Sequence, residues 1–251
     1  MARSFADHFS RVAADYASYR PRYPDALFAW LAGLPARHEL AWDCAAGSGQ
    51  ATVGLLPHFG RIVATDASAA LLASAPPDPR IEYRVAPAES SGLAPRSADL
   101  ITVAQAAHWF DLPAFYREAD RVLAPGGALA LWTYGVYHLD DPAIDGLLQH
   151  FYSDIVGPYW PPERRLVESG YRTIPFPFDE VTPPAFVMTT VWRLPELVGY
   201  LGTWSATTRC REATGRDPVE ALAPELEALW GPPDTARGVT WPLALRVGRR
   251  R

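Results

Sequence analysis

Between residues 40 and 133 the chain alternates short apolar segments with amphipathic ones, and this alternation strongly limits how it can fold. Three amphipathic segments have the spacing of helices, namely QATVGLLPHF, SAALLASA and LPAFYREADRVL. The apolar segments around them have the length and composition of buried strands: LAWDC, RIVATD, IEYRVA, ADLITVA and ALALWT. Strands that alternate with helices of this length form crossover units. The order therefore predicts an α/β fold with a parallel sheet covered on both faces.

After Thr133 the chain becomes rich in aromatic residues and proline. Within this part, AFVMTTVW and VTWPLALRV are predicted strands, and LPELVGYLGTWS and DPVEALAPELEALW are predicted helices. The expected architecture is a Rossmann-like, doubly wound, mostly parallel seven-stranded sheet in a single domain, residues 1–251. Its expected parts are an N-terminal helical flap (1–35), a ligand-binding core (36–134), a helical cap with one core strand (135–236), and a closing strand with its tail (237–251).

Charge and composition disfavour several classes of partner. The formal net charge is −5 and all 23 basic residues are arginine, so we expect no broad basic face for a phosphate backbone. The N-terminal MARSFADHFS carries polar and acidic residues where a secretory signal needs an apolar run. No apolar stretch approaches membrane-spanning length. We therefore expect a cytoplasmic protein that has neither a nucleic acid nor a membrane as its partner.

The segment WDCAAGSGQ places an acid, Asp43, at the end of the first strand, directly before a loop of small residues. Ligands of open parallel sheets bind beyond the carboxyl ends of the strands, so this loop is a candidate binding site. Gly47 and Gly49 match the start of a dinucleotide-binding loop, but Thr52 stands where the third glycine is expected. A carboxylate about 5 Å from a pyrophosphate would repel it by roughly a few kcal/mol. A nicotinamide-dependent oxidoreductase is therefore a disfavoured alternative.

S-adenosylmethionine (SAM) suits the same loop better, because its reactive end carries a positive sulfonium and an ammonium group. A carboxylate at the strand end would attract these charges. Asp66 ends the second strand, and its two oxygens can accept hydrogen bonds from both ribose hydroxyls. On these residues alone a structural alternative stays open, in which Asp43 only caps a turn and the glycines only allow it.

Five segments, in their order along the chain, resemble class I SAM-dependent methyltransferases: WDCAAGSGQA, VATDASAALLA, VAPAE, DLITVAQAAHWFD and READRVLAPGGALALW. The similarity is greatest to the small-molecule branch typified by trans-aconitate methyltransferases, which the opening YASYRPRYPDALFAWLA also resembles. The resemblance implies the class I methyltransferase fold with SAM as the cofactor. It also implies methyl transfer to a small-molecule acceptor at oxygen, with carboxylates among the candidate acceptors.

The resemblance further implies four groups of cofactor contacts. The methionine part would contact Asp43, Ala45, Gly47, Gly49 and Gln50, and the ribose and adenine would contact Asp66 and Ala67. Ala88 and Glu89 would border the adenine edge, and Gln105 and Ala106 would line the methyl-donating side. Ala45 stands where the family has a glycine. Its methyl group predicts an ordinary backbone angle at this position.

His108, just beyond the fourth strand, is the candidate catalytic base, since an unperturbed imidazole titrates near neutral pH. The alternative is that His108 orders the loop through a hydrogen bond. Tyr19 and Arg20 are candidate cofactor residues of the flap, because arginine and tyrosine suit a carboxylate. The alternative is that Arg20 lies at the surface beside proline and that Tyr19 is half-buried in the core.

Two further points stay open in the sequence. The aromatic residues after the fifth strand fit either an acceptor cavity or the core: Phe151, Tyr152, Tyr159, Trp160, Trp192 and Trp204. A module that binds SAM without catalysis is the main functional alternative, because methyl transfer requires few dedicated catalytic groups. No metal site is expected, and the pattern does not predict the oligomeric state.

Overall fold

The computed structural model describes residues 21–250, and all five apolar segments of the first half form strands. They are β1 (Leu40–Cys44), β2 (Arg61–Asp66), β3 (Ile81–Val85), β4 (Ala98–Ala104) and β5 (Leu123–Tyr134). They pair in parallel in the order β3-β2-β1-β4-β5. The winding of the sheet therefore reverses between β1 and β4, where ligands of such sheets bind.

The predicted strand number, seven, is wrong for the described residues, which form a sheet of nine strands. The two closing strands were predicted: β8 (Phe186–Trp192) and β9 (Arg237–Arg249), where β9 runs antiparallel between β5 and β8. The additional strands are the two-residue β6 (His138–Leu139) and β7 (Asp179–Glu180). Both pair with β9, which has 13 residues and extends past each of its long neighbours. The backbone groups of β9 beyond its long neighbours thus pair with these two short strands. A strand of two residues is too short to show a periodicity in the sequence.

Four helices accompany the first five strands: α1 (Asp25–Ala32), α2 (Gln50–Leu55), α3 (Ala69–Ala73) and α4 (Leu112–Val122). Each was predicted, and local chemistry explains their limits. The Ser68 hydroxyl accepts a hydrogen bond from the Leu71 amide at 3.3 Å and so caps α3. Asp111 does the same for α4, accepting from the Ala114 amide at 3.1 Å.

The cap contains five α-helices in the described residues: α5 (Pro142–His150), α6 (Arg164–Glu168), α7 (Leu194–Gly202), α8 (Ser205–Thr214) and α9 (Pro218–Trp230). Only α7 and α9 were predicted, because aromatic residues and prolines obscure the helical period elsewhere. One missed start was readable, since Asp141 accepts from the Ala143 and Ile144 amides and Pro142 follows it. Among the described helices, none combines the length and the apolar character that crossing a bilayer requires.

Side chains alternate between the two faces of the sheet, as the period of a strand requires. Along β5, Ala130 and Trp132 belong to the core on one face, whereas Leu129 and Leu131 belong to the core on the other. The first core also contains most of the aromatic residues for which the sequence left two interpretations. Phe151, Tyr152, Trp192 and Trp204 are each at most 8% exposed. For these four residues, core packing is the correct interpretation.

α1 and α2 approach each other closely at a glycine. A Cβ atom added to Gly54, within α2, would overlap the aromatic ring of Phe28 in α1. Phe28 is 2% exposed and packs edge-on against Trp132, with ring centroids 6.4 Å apart, so moving the ring would disturb this contact. The contact of the two helices therefore depends on the absence of a side chain at residue 54.

Gly54→Ala should lower the free energy of unfolding by roughly 1–3 kcal/mol, because the overlap with Phe28 outweighs the helix propensity of alanine. The matched control is Gly146→Ala in α5, where an added Cβ meets no atom within 4 Å. The control should gain about 0.5–1 kcal/mol. Denaturant unfolding of the three proteins measures both effects, and a Gly54→Ala variant as stable as the control would contradict the packing described here.

Candidate functional site

The ends of β1, β2 and β4 border a cavity of about 1040 Å³, which continues past α2 towards residues 76–78. Small-molecule sites commonly measure about 300–1,000 Å³, so this space can hold a cofactor together with part of a second ligand. Its lining comes chiefly from the loop after β1, from α1 and α2, and from the loop after β4. The predicted cofactor contacts that line it are Ala45, Gly47, Gly49, Gln50, Asp66, Gln105 and Ala106.

Asp43 occupies a different place from the one that the sequence suggested. Its carboxylate is fully buried and does not line the cavity. One oxygen accepts a hydrogen bond from the Thr52 hydroxyl at 2.5 Å, and the other accepts from the Thr102 hydroxyl at 2.8 Å. These two hydroxyls hold the acid beneath the loop rather than at its mouth. The backbone of the loop therefore lies between the carboxylate and the cavity. The residue that replaces the third glycine, Thr52, is thus a partner of the acid.

The buried carboxylate of Asp43 is costly to ionise. Burial, which is the largest influence, raises its pKa to about 6, while the hydroxyls of Thr52 and Thr102 lower it and the charge of Asp66 raises it. The group is nevertheless mostly ionised at neutral pH. A poorly solvated negative charge below a ligand-binding loop favours a positively charged ligand above it.

The predicted ordinary backbone angle of Ala45 is wrong, since this residue has φ of +56°. A left-handed conformation costs a residue with a side chain about 1–2 kcal/mol. The neighbouring hydrogen bonds impose it: the Ala46 amide donates to the Thr65 carbonyl at 2.9 Å, and the Gly47 amide donates to Asp66 Oδ2 at 2.9 Å. Strain of this kind persists where the surroundings fix the backbone, and it is common in functional loops.

Asp66 lines the cavity and organises the loop at the same time. Its second oxygen accepts from the Ser68 amide at 2.8 Å, and burial raises the pKa of the carboxyl. Each carboxylate oxygen can accept two hydrogen bonds, so both keep a lone pair for a ligand. The predicted contact with ribose hydroxyls is compatible with this geometry and stays a prediction.

Gly47 and Gly49 serve different purposes. A Cβ atom on Gly47 would meet no atom within 4 Å, so this glycine borders open space in the cavity. A Cβ on Gly49 would lie 3.2 Å from both Ala75 Cβ and the Tyr83 hydroxyl, so this glycine allows the chain itself to pack. Both have positive φ. The side-chain amide of the next predicted contact, Gln50, donates to the Pro21 carbonyl at 2.6 Å and connects α2 to the segment before α1.

The loop after β4 is held by side chains of β5. Gln105 has φ of +56°, and its side-chain amide donates to the Tyr134 carbonyl at 2.9 Å. Its side-chain oxygen accepts from the Thr133 hydroxyl at 2.6 Å. The predicted methyl-donating side, Gln105 and Ala106, is therefore a loop with little freedom to adjust.

His108 lies in the short turn Ala107–Trp109 and does not line the cavity. Its Nδ1 is 2.9 Å from the hydroxyl of Tyr171, a fully buried residue with φ of +60°. The same hydroxyl is within hydrogen-bond reach of the Thr133 side chain and of the Ala107 and His108 amides. Tyr171 thus joins the cap to both strands that flank the site. Nothing in the sequence around it indicated this role.

Burial, with a smaller contribution from the positive charge of Arg164, lowers the pKa of His108 to about 4. The imidazole is therefore neutral at physiological pH. Its conjugate acid is far more acidic than the groups that act best as bases near pH 7. The geometry agrees with the alternative in which His108 orders the loop.

Three predicted contacts lie away from the cavity lining. Ala67 is exposed, Ala88 is buried, and Glu89 accepts a hydrogen bond from the Asp111 amide at 3.0 Å. Their contacts with adenine stay predictions. Tyr19 and Arg20 lie outside the described residues.

The cavity also includes residues to which the sequence assigned no function or only a weak one. Trp109 is 38% exposed, and its ring lies 4.8 Å from that of His108, so it forms a wall of the cavity. Phe28 contributes from α1 and was visible only as an apolar helical position. The proline-rich turn at 76–78 also lines the cavity, where Pro76 packs close to Gly49 of the glycine loop.

The chain is similar to known methyltransferases over most of its length. A family model described as "Methyltransferase domain" matches residues 42–131. A Dictyostelium discoideum protein with a methyltransferase name is 34% identical over 221 residues, which cover 87% of this chain and 84% of that protein. A Saccharomyces cerevisiae protein named as a SAM-dependent methyltransferase is 30% identical over 132 residues, 49% of this chain and 45% of that protein. A solved structure from Anaeromyxobacter dehalogenans, described as a type II methyltransferase, is 47% identical with a TM-score of 0.87, covering 92% of this chain and 98% of that one.

Asp43→Asn should stabilise the ligand-free protein at pH 8. The folded pKa of about 6 lies above the unfolded value of 3.8, so the ionised form is destabilised in the folded state. Because of this difference, the free energy of unfolding of the wild type falls by about 2–3 kcal/mol as the pH rises from 3.8 through 6. The gain of the variant should therefore appear at pH 8 and vanish near pH 4, while its SAM affinity falls by about tenfold.

Unfolding in denaturant at both pH values, with calorimetry for SAM, measures the effects of Asp43→Asn. The control is Asp99→Asn, since Asp99 is also buried but accepts from the Glu39 amide at 2.8 Å, away from the cavity. This control should lose stability and keep its SAM affinity. A loss of stability in Asp43→Asn at pH 8 would show that the buried charge does not carry the cost assigned to it.

Proposed function

Because this chain belongs to the class I SAM-dependent methyltransferases, we propose that its acceptor is a small molecule and that the methyl group is transferred to a carboxylate oxygen. The family assignment establishes the enzyme class and the cofactor. The proposal concerns the acceptor, and the state of His108 carries it.

SAM, when bound, supplies a methyl group on a positively charged sulfur. The residues of this chain suit such a ligand. Asp43 places a negative charge beneath the loop, and the open side of Gly47 allows close approach to the loop backbone. Asp66 keeps acceptor capacity for hydroxyl groups. These groups bind and orient the cofactor, and none of them needs to exchange a proton.

An acceptor that is already ionised fits the methyl-donating side best. Phenols and alcohols must lose a proton to become strong nucleophiles, whereas a carboxylic acid is ionised at neutral pH. The candidate base that the sequence predicted, His108, does not line the cavity and has a pKa of about 4. The side chains of Gln105 and Thr133 bond to each other and to Tyr134 rather than to an incoming hydroxyl. We infer that the site positions its acceptor without deprotonating it.

A small acceptor agrees with the shape and the charge of the protein. The cavity measures about 1040 Å³, which leaves room for a metabolite beside the cofactor. The net charge of −5 does not favour a nucleic acid as the substrate.

Methyl transfer from labelled SAM to a panel of carboxylic acids, phenols and amines tests the acceptor class. The expected products are methyl esters, which release the label as methanol in base. Label found only in aryl ethers or methylamines would contradict the carboxylate proposal and leave the enzyme class intact. SAM binding without turnover on any acceptor would favour the alternative of a non-catalytic module.

His108→Ala should lower turnover by less than about tenfold, because loss of a true general base costs roughly 10²–10⁴. Tyr171→Phe should have a similar effect, since the two side chains share one hydrogen bond. The matched control is His150→Ala, an exposed histidine that bonds to Asp154. Steady-state kinetics and SAM calorimetry provide the measurements. A loss of 100-fold or more that free imidazole restores would identify His108 as the base.

A further inference from the structure

A single arginine lies in the described lining of the cavity. Arg22 is an exposed residue in the segment before α1, and it lines the cavity together with the residues of the glycine loop. None of the other described arginines lines this space. Because the chain contains no lysine, Arg22 is the one permanently positive side chain that the described residues offer to a ligand there.

The backbone on both sides of Arg22 is held in place. The Pro21 carbonyl accepts a hydrogen bond from the Gln50 side chain at 2.6 Å. Tyr23 is 8% exposed and packs edge-on against Trp132, with ring centroids 5.4 Å apart. Because both neighbours are fixed, Arg22 has a defined position at the edge of the cavity, close to the end of the glycine loop.

The cavity is otherwise acidic. Asp25, Asp66 and Asp78 belong to its described lining, and the buried carboxylate of Asp43 lies beneath the loop after β1. These groups attract the sulfonium and the ammonium of SAM, but they repel its carboxylate. The carboxylate of the cofactor therefore needs a positive partner, whatever the acceptor is.

Arg22 suits this carboxylate by its position and by its chemistry. It lies beside Gln50, one of the predicted contacts of the methionine part, because the preceding residue is bonded to the Gln50 side chain. A guanidinium presents a planar fork that can donate two parallel hydrogen bonds to one carboxylate. The other basic residue of the described lining, His58, follows the end of α2 that is away from the glycine loop.

We propose that Arg22 binds the carboxylate of SAM and so orients the methionine part of the cofactor. Asp43 attracts the positive groups from beneath the loop, and Arg22 holds the negative group at the edge of the cavity. This arrangement distinguishes the two ends of the amino acid part by charge. The inference concerns the cofactor alone, so it goes beyond the proposed acceptor and does not depend on it.

Calorimetry with two ligands tests the proposal without requiring turnover. S-adenosylhomocysteine carries the carboxylate, whereas its decarboxylated analogue, S-adenosyl-3-thiopropylamine, keeps the adenosine, the sulfur and the ammonium. The wild type should bind S-adenosylhomocysteine at least about tenfold more tightly than the analogue. Arg22→Gln should reduce this ratio to about one by weakening the binding of S-adenosylhomocysteine alone. Arg22→Lys, which keeps the charge but not the planar fork, should retain part of the ratio.

The matched control is Arg117→Gln, because Arg117 is an exposed arginine of α4 that does not line the cavity. It should keep the full ratio, which separates a direct contact from a change in net charge. Arg20→Gln is measured beside it, since the sequence predicted Arg20 as a cofactor residue. Unchanged affinity for the analogue in each Arg22 variant shows that the fold and the rest of the cofactor site are intact.

The outcomes separate this inference from the proposed acceptor. A ratio that falls to about one in Arg22→Gln and persists in Arg117→Gln supports the inference, even where no methyl ester forms and the proposed function fails. Equal binding of the two ligands by the wild type, including no binding of either, overturns it. A ratio that survives in Arg22→Gln, or that falls equally in Arg117→Gln, overturns it too. Loss of the ratio in Arg20→Gln but not in Arg22→Gln would assign the contact to Arg20 instead.

Discussion

A single buried carboxylate holds together the parts of the protein on which the rest of the site depends. Asp43 at the end of β1 bonds to Thr52 in α2 and to Thr102 in β4, so one side chain connects three elements around the cavity. Burial raises its pKa to about 6, and the fold therefore maintains a negative charge that would be more stable in water. The loop above it is strained at Ala45. The fold thus loses stability beside the cavity, where a positively charged ligand would be favoured.

The predicted acceptor side, at the loop after β4, differs because the side chains that hold it are uncharged. A chain of polar contacts runs from Gln105 through Thr133 and Tyr171 to His108 and leaves no ionised group along it at neutral pH. Such a network is well suited to fixing a loop and poorly suited to moving protons. The two sides of the cavity thus differ in charge, because Asp43 and Asp66 are acidic and the loop after β4 is held by neutral groups.

The sequence predicted the cavity better than it predicted the contacts within it. Gly47, Gly49 and Asp66 line the cavity as expected, because a glycine loop after the first strand of a parallel sheet has few possible positions. The sequence was a poorer guide to the direction in which each side chain points. Asp43 is covered by hydroxyls whose proximity depends on strand order, and Glu89 is occupied by a backbone amide that belongs to a later helix start.

The sequence by itself determined the strand and helix order of the first half, because those signals arise from neighbouring residues. Ser68 caps its helix wherever the helix lies. It also determined the enzyme class and the sign of the ligand. Only the tertiary structure decided that β9 pairs with two short strands and that the Tyr171 hydroxyl contacts His108, 63 residues away in the chain. Those facts depend on contacts between segments that are distant in the sequence, and local sequence patterns do not predict such contacts.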